Sequence, residues 1–102
     1  MCHVFASQDP KNYAYETRSV RLVGAVTSVR LEAKFWSVLE QLASSQSMTT
    51  PQFLSELYTE VIETHGNVHN FASLLRCCCL NYLTAHFDQS KLSRKSSQEL
   101  AA

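Results

Sequence analysis

Glycine is scarce in this chain of 102 residues, where Gly24 and Gly66 are the two present. A loop that cradles phosphates with backbone amides needs several glycines at fixed spacing, so nucleotide chemistry of that kind is excluded. Excess charge of one sign is also lacking: nine Lys and Arg balance nine Asp and Glu. Neutrality disfavours a diffuse polybasic binder, although an average can conceal a segregated surface. No apolar run approaches the ~20 residues of a membrane-spanning helix. Met1-Cys2-His3-Val4-Phe5 has neither the basic start nor the long apolar stretch of a secretory leader, which predicts a cytoplasmic protein with no membrane partner. The length predicts a single domain.

The cysteines are Cys2 and the run Cys77-Cys78-Cys79. Successive side chains on a helix point ~100° apart, so three in a row cannot converge on one metal as a C-x-x-C pair can. The expectation is therefore small apolar residues filling a core, with a redox or metal role as the alternative. His65 and His69, with Cys77 or Cys2-His3, match no established ligand spacing, so neither metal nor cofactor is expected. A Cys–His nucleophile would need an accessible, activated thiol, and three of the four cysteines fall in the most apolar segment. No catalytic residues are assigned and an enzyme is not expected.

Charge is distributed unevenly. The stretch 18–34 carries +3, with Arg18, Arg21, Arg30 and Lys34 against Glu32; the stretch 35–68 carries −4, from Glu40, Glu56, Glu60 and Glu63. Within the basic stretch the tetrapeptide Ser-Val-Arg-Leu occurs at 19–22 and again at 28–31. Both copies alternate polar with apolar residues, which predicts strands. Gly24-Ala25 suits a two-residue type II′ turn with glycine first, which would set Val23 opposite Val26 and Leu22 opposite Thr27. One face then carries Val20, Leu22, Thr27, Val29 and Leu31. The other carries Ser19, Arg21, Val23, Val26, Ser28 and Arg30.

After Leu31 the period becomes helical, with Phe35, Trp36, Leu39, Leu42 and Ala43 on one face. Thr49-Thr50-Pro51-Gln52 reads as a capping box opening a second helix, striped by Phe53, Leu54, Leu57, Tyr58, Val61 and Ile62 and stopped at Gly66. Asn70 can cap a third helix from Phe71, apolar almost all round. Such a helix needs burial on several sides, which predicts a partner subunit. Arg76 on that helix is expected to pair with second-helix glutamates such as Glu56 or Glu60, or to reach solvent. The domain is placed at 17–87. An N-terminal arm (1–16), extended and anchored by Tyr13 and Tyr15, precedes it, and a flexible tail (88–102) follows.

A basic strand running directly into an amphipathic helix, then a short turn and a capped second helix, resembles the ribbon-helix-helix family of DNA-binding regulators. The matching residues run from Thr27-Ser28-Val29-Arg30-Leu31-Glu32-Ala33-Lys34-Phe35-Trp36 to Met48-Thr49-Thr50-Pro51-Gln52-Phe53-Leu54. With Asn70-Phe71-Ala72-Ser73-Leu74-Leu75-Arg76 the chain looks like a bacterial subgroup with an added strand and third helix. The resemblance implies a mainly helical fold and an intertwined homodimer in which one strand per subunit pairs into a ribbon. That ribbon enters the major groove of duplex DNA. It implies base contacts from Val26, Ser28 and Arg30, with arginine's planar fork suited to guanine. Arg21, Lys34, Thr49 and Thr50 are expected on phosphates, the threonines at a helix N-terminus. Ser47 stands where the family usually has glycine; a left-handed conformation there costs about 1 kcal/mol more than glycine would. The added strand 18–23 would widen a dimer's ribbon to four strands.

The expected function is thus a transcriptional regulator, a repressor that occupies a promoter as a dimer or a higher oligomer on DNA. The alternative is a protein-interaction module on the same scaffold, antitoxin-like or an adaptor. It would capture a protein partner through the N-terminal arm or the tail.

Overall fold

The computed structural model describes the backbone of residues 2–101 and the side chains of residues 3–86. A short helix α1 (Cys2–Ala6) and a single 3-10 turn (Pro10–Asn12) lead into strands β1 (Tyr15–Leu22) and β2 (Ala25–Glu32). Helices α2 (Ala33–Ser45), α3 (Thr50–His65) and α4 (Phe71–Ala101) follow, so the fold is mainly helical behind a β-hairpin. The N-terminal segment is therefore not extended. Asp9 caps the 3-10 turn by accepting from the Lys11 amide at 3.0 Å, Pro10 presets its first dihedral, and Tyr15 already belongs to β1. The side chains of the tail expected at 88–102 lie outside the described residues.

β1 and β2 pair antiparallel over eight residues each, Tyr15 opposite Glu32 and Leu22 opposite Ala25. The turn is Val23-Gly24, with φ of 49° and 80°. Positive φ at both central residues is the type I′ geometry, so the expected type II′ turn at Gly24-Ala25 is displaced by one position. Moving the turn by one residue shifts the register by two. Because strand side chains alternate with a period of two, every residue keeps its expected face. Contacts far from the turn hold this register. Trp36 Nε1 on α2 donates to the Glu16 carbonyl at 2.8 Å, Arg18 Nη2 reaches Glu40 Oε1 at 2.9 Å, and the Ala33 amide donates to the Ala14 carbonyl at 2.8 Å.

The hairpin's inner face supplies Val20, Leu22, Val29 and Leu31 to the core, where they meet Trp36, Val38 and Leu39 of α2, Leu54 of α3, and Leu75 and Cys79 of α4. Full burial of each leucine stabilises by about 1.5–3 kcal/mol, which makes this single cluster the principal source of stability. α3 lies against β1 while α4 lies against α2 and β2. Tyr58 and Phe71 add an edge-to-face aromatic pair between α3 and α4, centroids 5.2 Å apart.

Helix ends follow the local chemistry. α2 closes with the Ser47 amide bonded to the Ser44 carbonyl at 3.0 Å and the Met48 amide to the Ala43 carbonyl at 2.9 Å. That is a Schellman motif, and Ser47 adopts the left-handed φ of 59° it requires. Thr49 and Gln52 form the expected capping box of α3, Gly66 ends that helix at φ 87°, and Asn70 Oδ1 accepts from the Ser73 amide at 3.1 Å to cap α4.

Arg76 departs from expectation. It donates from Nε and Nη2 to Glu32 Oε1, at 3.1 and 2.8 Å, rather than to Glu56 or Glu60. α4 crosses the junction between β2 and α2, which brings Arg76 over Glu32 and the Phe35 ring. The cysteine run is split by the helix turn: Cys79 is buried, Cys78 half-buried and Cys77 exposed, so core filling describes Cys79 and only part of the run.

Candidate nucleic-acid interface

The outer face of the hairpin is built from alternate residues: Tyr15, Thr17, Ser19 and Arg21 on β1, and Val26, Ser28, Arg30 and Glu32 on β2. All but half-buried Glu32 are exposed. Cross-strand neighbours are Ser19 with Ser28, Arg21 with Val26, and Thr17 with Arg30. The structure thus gathers Arg21, Val26, Ser28 and Arg30 on one surface. Lys34 is exposed in the first turn of α2, immediately beyond β2.

Electrostatically this face is more basic than the chain's neutrality suggests. Both of the hairpin's carboxylates are engaged: Glu16 by Arg18, and Glu32 by Arg76, whose guanidinium holds the Glu32 carboxyl below its ordinary value. Arg18 belongs to the inner side, sits 4.5 Å from the Trp36 ring centroid and also binds Glu40. It is therefore spent on structure. Among the described residues Arg21, Arg30 and Lys34 form no ion pair.

Arg30 has a neighbour that sequence reading missed. Its Cζ lies 4.1 Å from the centroid of the Tyr15 ring, one strand away on the same face. At that distance the cation is attracted by the face of the ring, which restrains the Arg30 side chain on the outer face of the hairpin. The signal lay in the odd-numbered alternation Tyr15, Thr17, Ser19, Arg21, once β1 is extended two residues toward the N-terminus.

Thr49 and Thr50 lie on a separate element, the start of α3. There the capping box uses two groups: the Gln52 amide donates to Thr49 Oγ1 at 3.3 Å, and the Thr49 amide donates to Gln52 Oε1 at 2.9 Å. Pro51 has no amide hydrogen and the Phe53 amide is bonded to the Thr49 carbonyl. The expectation of several free amides is therefore reduced to one, that of Thr50. Among the described residues no group of three or more His, Cys, Asp or Glu side chains is placed to hold a metal ion, and no helix is long and apolar enough to cross a membrane.

Residues 15–83 match the family model described as the ribbon-helix-helix domain. Among solved structures, an uncharacterized protein from Bordetella pertussis Tohama I is similar, with 40% sequence identity and a TM-score of 0.84 over 87% of this chain and 71% of that one. No curated protein matches the sequence.

Proposed function

The chain belongs to the ribbon-helix-helix family, whose general role is DNA-binding transcriptional regulation, and we propose that it is a sequence-specific duplex-DNA-binding regulator, a repressor acting as a homodimer. The observation that carries this reading is the outer face of the hairpin. Arg21 and Arg30 stand free of carboxylates beside paired Ser19 and Ser28, while Glu16 and Glu32 are neutralised by Arg18 and Arg76.

Two antiparallel strands lie ~4.8 Å apart, so a two-stranded ribbon fits a major groove ~12 Å wide. Laid in the groove, Val26, Ser28 and Arg30 meet base edges. Arg30 donates its two-pronged edge to guanine O6 and N7, Ser28 donates or accepts, and Val26 offers methyl contact to thymine. Lys34 and the Thr49-Thr50 helix start lie outside the ribbon and take phosphates. Occupying a promoter is sufficient for repression and needs no chemistry. Homodimerisation is supported by apolar surface that one chain leaves uncovered: Leu80 and Leu83 on α4 are 55% and 44% exposed, and on α3 only Leu54 is fully buried among the described residues.

Selection from random duplexes at physiological salt tests the reading: one enriched motif is expected, and enrichment of none contradicts it. Affinity should fall only shallowly with salt, because few cations per chain displace counterions. A second reading, an antitoxin-like or adaptor module, draws on exposed Val4, Phe5 and Tyr13 near the N-terminus. Affinity purification that recovers one stoichiometric protein and protects no DNA would favour it.

A further inference from the structure

The repeated Ser-Val-Arg-Leu and the register of the hairpin fit together in a specific way. Ser19 of the first copy is paired with Ser28 of the second. An antiparallel pair of identical segments aligned on the same residue has a local two-fold axis through that residue pair. About the Ser19–Ser28 axis, Arg21 is related to Arg30, Val20 to Val29, and Leu22 to Leu31. The relation holds on both faces. The serines and arginines all face outward, and both valines and both leucines are buried, each 5% exposed or less. One chain therefore carries, in its own hairpin, the arrangement that two copies of one strand would make by pairing across a dimer.

We propose that the hairpin of a single chain is the complete DNA-reading ribbon, with Ser19 and Arg21 of β1 reading bases as symmetry counterparts of Ser28 and Arg30 of β2. This rests on the duplex-DNA reading given above and assigns Arg21 to bases instead of phosphate.

Two further observations support it. The four apolar residues of the hairpin's inner face, Val20, Leu22, Val29 and Leu31, are buried by α2, α3 and α4 of the same chain, while Ala25 and Thr27 near the turn stay exposed, so the core beneath the ribbon closes without a second copy. A sheet made by pairing β2 with another chain's β2 would have four strands. Its outer strands would lie ~14 Å apart by axis alone, which exceeds the ~12 Å groove. The hairpin by itself fits.

The geometry also sets the footprint. Val26, which faces Arg21, is four residues along β2 from Arg30, so the two arginines are separated by ~13 Å along the ribbon. That is about four base-pair steps of ~3.4 Å each. The two-fold relation places them on guanines of opposite DNA strands. Their surroundings differ: Arg30 lies over the Tyr15 ring, whereas Arg21 faces exposed Val26. The recognised element is thus a near-palindrome with unequal arms.

The test is the position-by-position base preference of the full chain and of Arg21→Ala and Arg30→Ala, measured by selection from random duplexes. Both arginines are exposed and unpaired among the described residues, and circular dichroism checks that each variant keeps the fold. The expected result is a motif with two guanines on opposite strands about four base pairs apart. Arg21→Ala should relax one position and Arg30→Ala the other, each by about 5- to 150-fold. Two outcomes overturn the inference yet leave DNA recognition standing. In one, Arg30→Ala alone relaxes both positions, which makes the ribbon a product of two chains. In the other, Arg21→Ala weakens all sequences equally and lowers the salt slope by about one, which makes Arg21 a phosphate contact. A full-length chain that enriches no sequence removes the proposed function and this inference together.

Discussion

Arg76, near the start of α4, donates twice to a single oxygen of Glu32, the residue that ends β2 and precedes α2. The pair ties the long helix to the strand-to-helix junction, and its guanidinium also offsets the negative charge of Glu32 at the edge of the outward hairpin face.

The first prediction concerns that pair. Arg76 holds the Glu32 carboxyl below its ordinary value of 4.5. The native carboxylate keeps its charge to lower pH than the unfolded one, so the pair's contribution is complete above that value and is lost as pH falls through the lowered one. Arg76→Gln should destabilise by about 1 kcal/mol at pH 7, a modest figure because both side chains remain partly exposed. Urea unfolding at pH 7 and pH 3 checks it: the gap between variant and parent should shrink at pH 3.

The second concerns the ribbon tip. Val23 is β-branched, exposed, and held at φ 49°. A left-handed conformation costs such a residue about 1–2 kcal/mol, whereas asparagine adopts it readily and Asn-Gly is the preferred type I′ pair. Val23→Asn should stabilise by about 1 kcal/mol and raise Tm by about 4–8 °C, read by thermal unfolding.

The third concerns the cysteine run. The Cys79 thiol is buried, donates to the Phe35 carbonyl at 3.6 Å, and is pushed by burial up to about 11. Burial also raises Cys78, while Cys77 is exposed. Only the thiolate is nucleophilic. Alkylation at pH 8 followed by peptide mass spectrometry should therefore label Cys77 first and Cys79 only on unfolding.

Much of this architecture is legible from residue pattern. Alternation in the two Ser-Val-Arg-Leu copies reveals the hairpin and its faces, and the helix starts at Thr49 and Asn70 follow from side chains that cap their own backbone. The left-handed conformation of Ser47 is suggested by the family resemblance, in which glycine is usual there, and by nothing in the residue pattern itself. What escapes the pattern is set by contacts between distant residues. Gly24 invites a type II′ turn, but the bond from Trp36 to the Glu16 carbonyl and the reach of Arg18 to Glu40 fix β1 against α2, and Val23 accepts strain as a result. Summed charge counts Arg18 among the basic residues, whereas its place on the inner face consumes it. Arg76 finds Glu32 because α4 crosses β2, a crossing no local period records. Tyr15 sits over Arg30 for a similar reason: the two are far apart in the chain and adjacent only across the ladder.

The central claim, that the outer hairpin face recognises duplex DNA by sequence, is tested most directly by equilibrium binding. Fluorescence anisotropy would compare a selected duplex with a scrambled duplex of equal length, for the full chain and for Arg30→Ala, at ~0.15 M salt where surface charges are screened beyond ~8 Å. The account predicts that the full chain prefers the selected duplex and that Arg30→Ala, still folded, loses about 5- to 150-fold of that preference. Equal binding of both duplexes by the full chain, or an undiminished preference in Arg30→Ala, would contradict it.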